Sequence, residues 1–369
     1  VVVYTRRDDP TLPKRVKFAP GVTVEHVDAG PPKPLPKDEL LPHMDAFAAE
    51  LEVAWRTWRP DVAHAHFWMS AKASVAAGRR TGVPIVLTFH ALGVVKRRHQ
   101  GAKDTSPPER IAIEEALTQA VDHIVATSTD EVFELARLGT DPGRTSVIPC
   151  GVDLSLFRPD GPTERKTPGL DRVVVVSRLV ERKGIGNIVT AMGRVPGAEL
   201  LVAGGPESGD LARDAEARRF LRLAEEAGVA DRVRLLGRVE RDQVPALLRS
   251  ADLVACTPWY EPFGMVAVEA MACGVPVVAS AVGGLVDTVV EGVPGLHVRP
   301  RASDSIAEAI RRLLADPEIR AEMGRRGAAR AAAQYGWDRI ARLTLQVYTS
   351  VVERSAAAVA RTTKHGRPS

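Results

Sequence analysis

A chain of 369 residues is long for one hydrophobic core and predicts two domains, and its 45% hydrophobic and 26% charged residues are those of an ordinary globular protein. No window approaches the roughly 18 consecutive apolar residues of a membrane span. Lys+Arg of 50 against Asp+Glu of 46 leaves a formal charge of +4 spread along the chain. That balance argues against nucleic-acid binding and fits mild attraction to anionic small molecules, with peripheral attachment to anionic lipid as a secondary expectation. Three cysteines, Cys150, Cys256 and Cys273, have no metal-ligand spacing and read as small buried hydrophobes in a reducing, cytoplasmic setting. His64 and His66 alternate along a strand, but no Cys or carboxylate cluster joins them, so no metal site is expected.

Segments of β type alternate with amphipathic helices in chain order. Strands are predicted over residues 1–4, 22–27, 62–66, 85–89, 123–127 and 146–149, with helices over 41–58, 70–81, 108–120 and 131–138. Residues 153–169, rich in Pro, Gly and charge, read as a linker. Strands follow over 172–177, 199–203, 233–236, 253–255, 275–279 and 295–298, with helices over 184–195, 211–227, 242–249 and 265–273. Three more helices are predicted over 303–315, 317–334 and 337–352. Such alternation implies an α/β fold of two Rossmann-like domains with parallel sheets, facing a cleft. The expected domains are 1–152, which is incomplete, and 153–336, with 337–352 as a bracing helix and 353–369 as a disordered tail. Incompleteness is expected because Val1 opens directly on a strand, without the strand and glycine loop that begin a Rossmann-like half.

The segment from Glu261 to Ser280, EPFGMVAVEAMACGVPVVAS, carries the most information. A helix beginning near Gly264 or Met265 aims unpaired N–H groups and its positive dipole end at whatever lies in front of it, which suits a diphosphate. Glu261 precedes that helix and Glu269 falls in its second turn. Carboxylates accept paired hydrogen bonds from vicinal hydroxyls, so the two suit a sugar and a ribose. In SRLVERKG, Arg178 and Lys183 face the start of the next helix, where two cations suit an anionic ligand. Arg182 in the same turn reads as solvated. His90 lies just past an apolar strand, where functional side chains collect.

Five signatures, HAHFW (64–68), TFHALG (88–93), PCGVDLSLF (149–157), SRLVERKG (177–184) and EPFGMVAVEA (261–270), together resemble the retaining GT-B glycosyltransferases of the family that includes sucrose-phosphate synthase. The resemblance covers the chain to about residue 348. It implies transfer of a hexosyl unit from a nucleotide-diphosphate sugar, UDP- or GDP-linked, with no cofactor or metal. It implies diphosphate stabilisation by Arg178 and Lys183, a sugar-facing Glu261, a ribose-binding Glu269, and a His90 beside the donor sugar's primary hydroxyl. Backbone N–H groups of Phe263, Gly264 and Met265 would meet the donor. Gly204 and Gly205 would permit close backbone approach, and Arg238 and Val239 would line the nucleobase pocket. On the acceptor side, the stretch after Leu92 reads as a long basic loop in which Lys96, Arg97 and Arg98, with Arg110 beyond, clamp an acceptor phosphate. Mycothiol-pathway relatives, which act on inositol phosphate, carry Tyr and Thr where this chain has Phe67 and Ala91, and share Arg110. That departure points to another phosphorylated or anionic small-molecule or glycan acceptor. A sugar-nucleotide epimerase of the same architecture and a donor-binding fragment with impaired turnover stay open as alternatives.

Overall fold

In the computed structural model, which describes residues 1–365, contacts divide the chain into two units. Unit 1 takes Val1–Ala126, Val132–Ile148 and the chain from Leu343 on; unit 2 takes Thr127–Glu131 and Pro149–Arg342. The main crossing lies between Ile148 and Pro149, a few residues before the expected 152.

Unit 1 opens with strands β1 (Val2–Arg6), β2 (Arg15–Ala19) and β3 (Val22–Val27), in the order β1-β3-β2. Strand β2, absent from the sequence reading, runs antiparallel to β3. Its Phe18 is exposed, so no apolar alternation marks it. A tight turn at Pro20-Gly21 and the Arg15 Nε bond to Glu25 (2.6 Å) hold it instead. The rest of the unit runs α1 (Met44–Thr57), β4 (Ala63–His66), α2 (Trp68–Thr81), β5 (Ile85–Thr88), α3 (Gly93–Gln100), α4 (Arg110–Ala120), β6 (His123–Ala126), α5 (Thr129–Arg137) and β7 (Thr145–Val147). Strands β4-β5-β6-β7 form a second sheet, wholly parallel. Among the described residues, β1 and β4 each keep one edge without a strand partner.

Unit 2 contains β8 (Asp171–Val176), α6 (Ile185–Met192), β9 (Ala198–Ala203), α7 (Ala215–Glu226), β10 (Val233–Gly237), α8 (Val244–Arg249), β11 (Leu253–Cys256), α9 (Met265–Ala272), β12 (Val277–Ser280), α10 (Leu285–Thr288), β13 (Gly295–Val298), α11 (Ser303–Ala315) and α12 (Pro317–Gln334). Its six parallel strands lie in the order β10-β9-β8-β11-β12-β13. Numbered within the unit this is 3-2-1-4-5-6, the doubly wound Rossmann order, with its reversal between β8 and β11. Period-2 alternation divides one strand between two cores: Val173 and Val175 pack with Ile188, Leu200 and Ile310, whereas Val174 packs with Leu247, Val268 and Met271. Both faces are therefore covered, which explains the unbroken valine run in β8.

The last helix, α13 (Trp337–His365), starts in unit 2 and continues in unit 1. It corrects the expected disorder after residue 352: the Ala-rich run sustains the helix, and Arg354 Nη2 meets His123 Nδ1 at 3.3 Å. Residues 366–369 of the expected tail lie outside the described residues.

One buried charge pair ties β8 to β9. Arg172 and Glu199, each 1% exposed, meet at 2.7 Å, and the guanidinium also reaches Ser250 and the Arg165 carbonyl. Glu199→Ala should strand that guanidinium and cost about 3–5 kcal/mol in urea unfolding. The Arg172→Met/Glu199→Leu double variant should recover most of the loss.

Candidate active site

The strand reversal in unit 2 places two loops side by side, one after β8 and one after β11. The first carries Arg178, Arg182 and Lys183; the second carries Glu261. A salt bridge from Lys183 Nζ to a Glu261 carboxylate oxygen joins the loops across the switch point. The Trp259 N–H donates to the Arg182 carbonyl at 2.8 Å, a second link between them. Arg178 is exposed. Arg182 is not simply solvated, as expected from sequence: burial pushes its guanidinium pKa down, with Glu261 opposing that and Arg178 adding to it. The two loops together carry three cations, Arg178, Arg182 and Lys183, against two carboxylates, Glu181 and Glu261, which leaves them net positive and suited to an anion.

Helix α9 begins at Met265, and its N-cap Gly264 contributes no side-chain hydrogen bond; the N–H groups ahead of Ala267, which donates to the Gly264 carbonyl at 3.0 Å, point forward uncapped. Gly264 sits at φ +98°, and a Cβ there would overlap Leu285. The turn ahead of the helix is therefore a glycine requirement. The Phe263 ring is buried against Tyr335, and its carbonyl accepts from the Thr288 hydroxyl at 2.9 Å. Gly283 and Gly284 support the same loop from below. The Gly284 N–H donates to the Glu261 carbonyl at 2.9 Å, and a Cβ at Gly283 would overlap that carbonyl. Glu269 is 3% exposed and pairs with Arg241; burial raises its pKa, and Arg241 opposes the rise. Gly204 and Gly205 end β9 against Ser177 and Leu179, buttressing the turn that carries Arg178. The Arg238 N–H is taken by the Pro206 carbonyl (2.9 Å), and its exposed side chain meets Glu207 and Glu240. Val239 is packed against the core.

In unit 1, the carboxyl ends of β4 and β5 carry a column of rings. His64 stacks on His66 (4.4 Å), His66 on His90 (5.1 Å), and Phe67 leans on His90 (4.9 Å). His66 Nδ1 and His90 Nε2 are hydrogen-bonded at 2.9 Å. His64 is held from both sides, by the Tyr348 hydroxyl (2.7 Å) and the Thr88 hydroxyl (2.9 Å). Burial lowers all three imidazoles, His64 to about 3 and His90 to about 4, with the neighbouring rings adding to it for those two. The column is neutral at physiological pH. Phe67 (φ +69°) and His90 (φ +60°) both hold left-handed backbone, a strained state that persists only where the surroundings impose it.

The description "Glycosyl transferases group 1" matches residues 162–330, and "Glycosyltransferase Family 4" matches 1–156. The D-inositol 3-phosphate glycosyltransferase of Acidothermus cellulolyticus is 39% identical over 98% of this chain and 84% of its own length. The chain belongs to the group 1 glycosyltransferases. The enzyme of the same description from Mycobacterium bovis is 37% identical over 95% of this chain and 75% of that one. Among solved structures, sucrose-phosphate synthase from Thermosynechococcus elongatus superposes with a TM-score of 0.85 at 31% identity, covering 96% of this chain and 89% of the other. The fold is the GT-B class of two Rossmann-like domains.

Within this group 1 glycosyltransferase, the expected basic loop is a correction. Residues Gly93–Gln100 form helix α3, and its cations are engaged by the chain itself. Lys96 meets Asp104 at 2.8 Å, with Arg97 on the same carboxylate at 4.0 Å. Burial would raise Asp104, but hydrogen bonds from Lys96 and Ser106 hold it at about 2. Arg98 grips Glu134 through both terminal nitrogens (2.8 and 2.9 Å). Arg110 is 6% exposed; it reaches Glu114 (2.7 Å), the Ala91 carbonyl (2.7 Å) and Ser106 (3.2 Å). Glu114 in turn accepts from the Gly93 N–H at 2.6 Å. Arg110 and Glu114 thus fix the turn that holds His90 in its strained conformation. Lone charges give no pairing signal in sequence, although Arg110 and Glu114 at i,i+4 are a legible helix pair. Arg241 was missed for want of a motif, while the Gly-Gly after β12 was a readable turn signal.

His64 is neutral when folded and titrates near its ordinary value when unfolded. Its contribution to stability is therefore present above about pH 6.5 and lost as pH falls toward 3. The melting temperature should drop between pH 7 and 5, and His64→Gln should flatten that slope by about one proton's worth.

Proposed function

We propose that the chain is a metal-independent, retaining hexosyltransferase using a nucleotide-diphosphate sugar, UDP- or GDP-linked. The carrying observation is the Lys183–Glu261 bridge between the two loops at the switch point, with Arg178 exposed in the same loop as Lys183. Arg178, Lys183 and the α9 N-terminus take the diphosphate and stabilise its charge as it leaves. Glu269, held by Arg241, takes the ribose hydroxyls; Glu261 takes hydroxyls of the hexose. His90 takes a hydroxyl of the sugar, and Phe67 contacts the acceptor. Retention proceeds on one face of the donor, with the leaving phosphate accepting the acceptor's proton. The relatives' names support a phosphorylated polyol or sugar as the acceptor class.

Arg178→Ala and Lys183→Ala should each weaken UDP or GDP binding by about 1.5–3 kcal/mol in calorimetry, the loss of a charge-assisted contact. Unchanged affinity in both would remove the assignment. Donor turnover should survive EDTA; loss restored by magnesium or manganese would overturn the metal-independent reading. Conversion of donor without any acceptor would instead indicate an epimerase.

Glu269→Ala should raise the donor KM with kcat nearly intact, because ribose is held alike in the ground and transition states. Glu261→Ala should lower kcat more than it weakens nucleotide binding, since its partner changes charge during reaction. Steady-state kinetics with calorimetry of the free nucleotide separates the two.

A further inference from the structure

We infer that His66 is a positioning residue that makes His90 a hydrogen-bond acceptor toward a substrate hydroxyl. The inference rests on the proposed role of His90 beside the sugar. Only one proton can lie between His66 Nδ1 and His90 Nε2 at 2.9 Å, so the protonation of one ring dictates that of the other. Two arrangements satisfy the bond with neutral rings. If His66 donates from Nδ1, then His66 is an Nδ1–H tautomer and so is His90. If His90 donates from Nε2, both rings take the Nε2–H form, which neutral imidazole intrinsically favours. The second arrangement needs no unfavourable tautomer on either ring, and it is the one the geometry points to. His90 Nδ1 is then a lone pair, able to accept a proton-bearing hydroxyl and unable to donate.

The surroundings reinforce that choice. His66 stacks on His90 with 21° between the ring planes, while Phe67 covers His90 at a 43° tilt. The ring is thus bracketed on two sides, and its backbone is fixed by Arg110 through the Ala91 carbonyl and by Glu114 through the Gly93 N–H. His64, stacked on the far side of His66 and anchored by Tyr348 and Thr88, keeps His66 from turning away. Parallel pairing of β4 with β5, with His66 opposite Thr88, brings the His66 and His90 rings together at the strand ends, and Phe67 and His90 hold left-handed backbone there.

The test uses three proteins. His66→Leu removes the acceptor at Nδ1; His66→Asn restores an amide oxygen at nearly the same place. Since His66 keeps one side open to solvent although its ring packs on its neighbours, and neither replacement is much larger, both should melt close to the parent and bind UDP or GDP equally well. The Leu variant should lose about tenfold or more in kcat with the donor KM little changed, and the Asn variant should recover most of it. Imidazole nitrogen chemical shifts give an independent readout. His90 should show a protonated Nε2 and a bare Nδ1 in the parent and the Asn variant, and a mixture in the Leu variant. A protonated Nδ1 on parental His90, an unchanged kcat in the Leu variant, or an Asn variant as impaired as Leu would each overturn the proposal. If the protein proves not to transfer sugar, the nitrogen shifts still decide the His66–His90 arrangement, so that failure is distinguishable from this one.

Discussion

The reversal of strand order between β8 and β11 is the constraint on which the chemistry of unit 2 depends. At that point successive crossovers leave toward opposite faces of the sheet, so no helix packs across the gap between the two strand ends. The loops after them meet over open space instead of over a hydrophobic layer. Charged side chains can stand there without being buried in apolar surroundings, and Lys183 and Glu261 occupy the place from opposite loops. The surrounding features serve to hold those loops. Gly204 and Gly205 let β9 close against the first, while Gly283 and Gly284 let the chain after β12 close against the second. Neither approach tolerates a side chain.

Unit 1 uses a different chemistry at its strand ends. Its three histidines are neutral, stacked and hydrogen-bonded, and the nearby cations are neutralised by Asp104, Glu134 and Glu114. Burial keeps the column free of charge, and the neighbouring rings make His64 and His90 harder still to protonate. What unit 1 presents is therefore directional: ring faces and a fixed lone pair. Holding two non-glycine residues in left-handed backbone costs on the order of 1–3 kcal/mol each. The buried Arg110–Glu114 pair bears part of that cost, because it grips the backbone on both sides of Leu92.

Much of this was legible in the sequence because it rests on local pattern. The valine runs of β8 and β12, the amphipathic α7 and α11, and Pro317 at the start of α12 all announce themselves, and their bounds fall within a few residues. The two glutamates and the Arg178–Lys183 turn were legible through their motifs. Three features were not. Strand β2 is solvent-facing and exists by pairing. Helix α3 has charge where a helix is usually apolar, and depends on carboxylates 8 and 36 residues away in sequence, Asp104 and Glu134. The His66–His90 bond joins residues |i−j| = 24 apart, whose meeting depends on parallel pairing of β4 with β5. Spacing within one strand shows His64 and His66 as an alternating pair; only the sheet shows His90 as the partner.

The paired state of Lys183 and Glu261 bears on how the proposed donor would bind. Both side chains are 19% exposed, so their mutual attraction is partly screened yet stronger than on an open surface. Under the proposed function, a diphosphate that shares the Lys183 ammonium would loosen its hold on Glu261, since one ammonium divides three donors between the two acceptors. Hexose hydroxyls would then supply the donors that the carboxylate gives up. Nucleotide and sugar would bind as coupled events, and a free nucleoside diphosphate, lacking the sugar, would gain less from Lys183 than the intact donor.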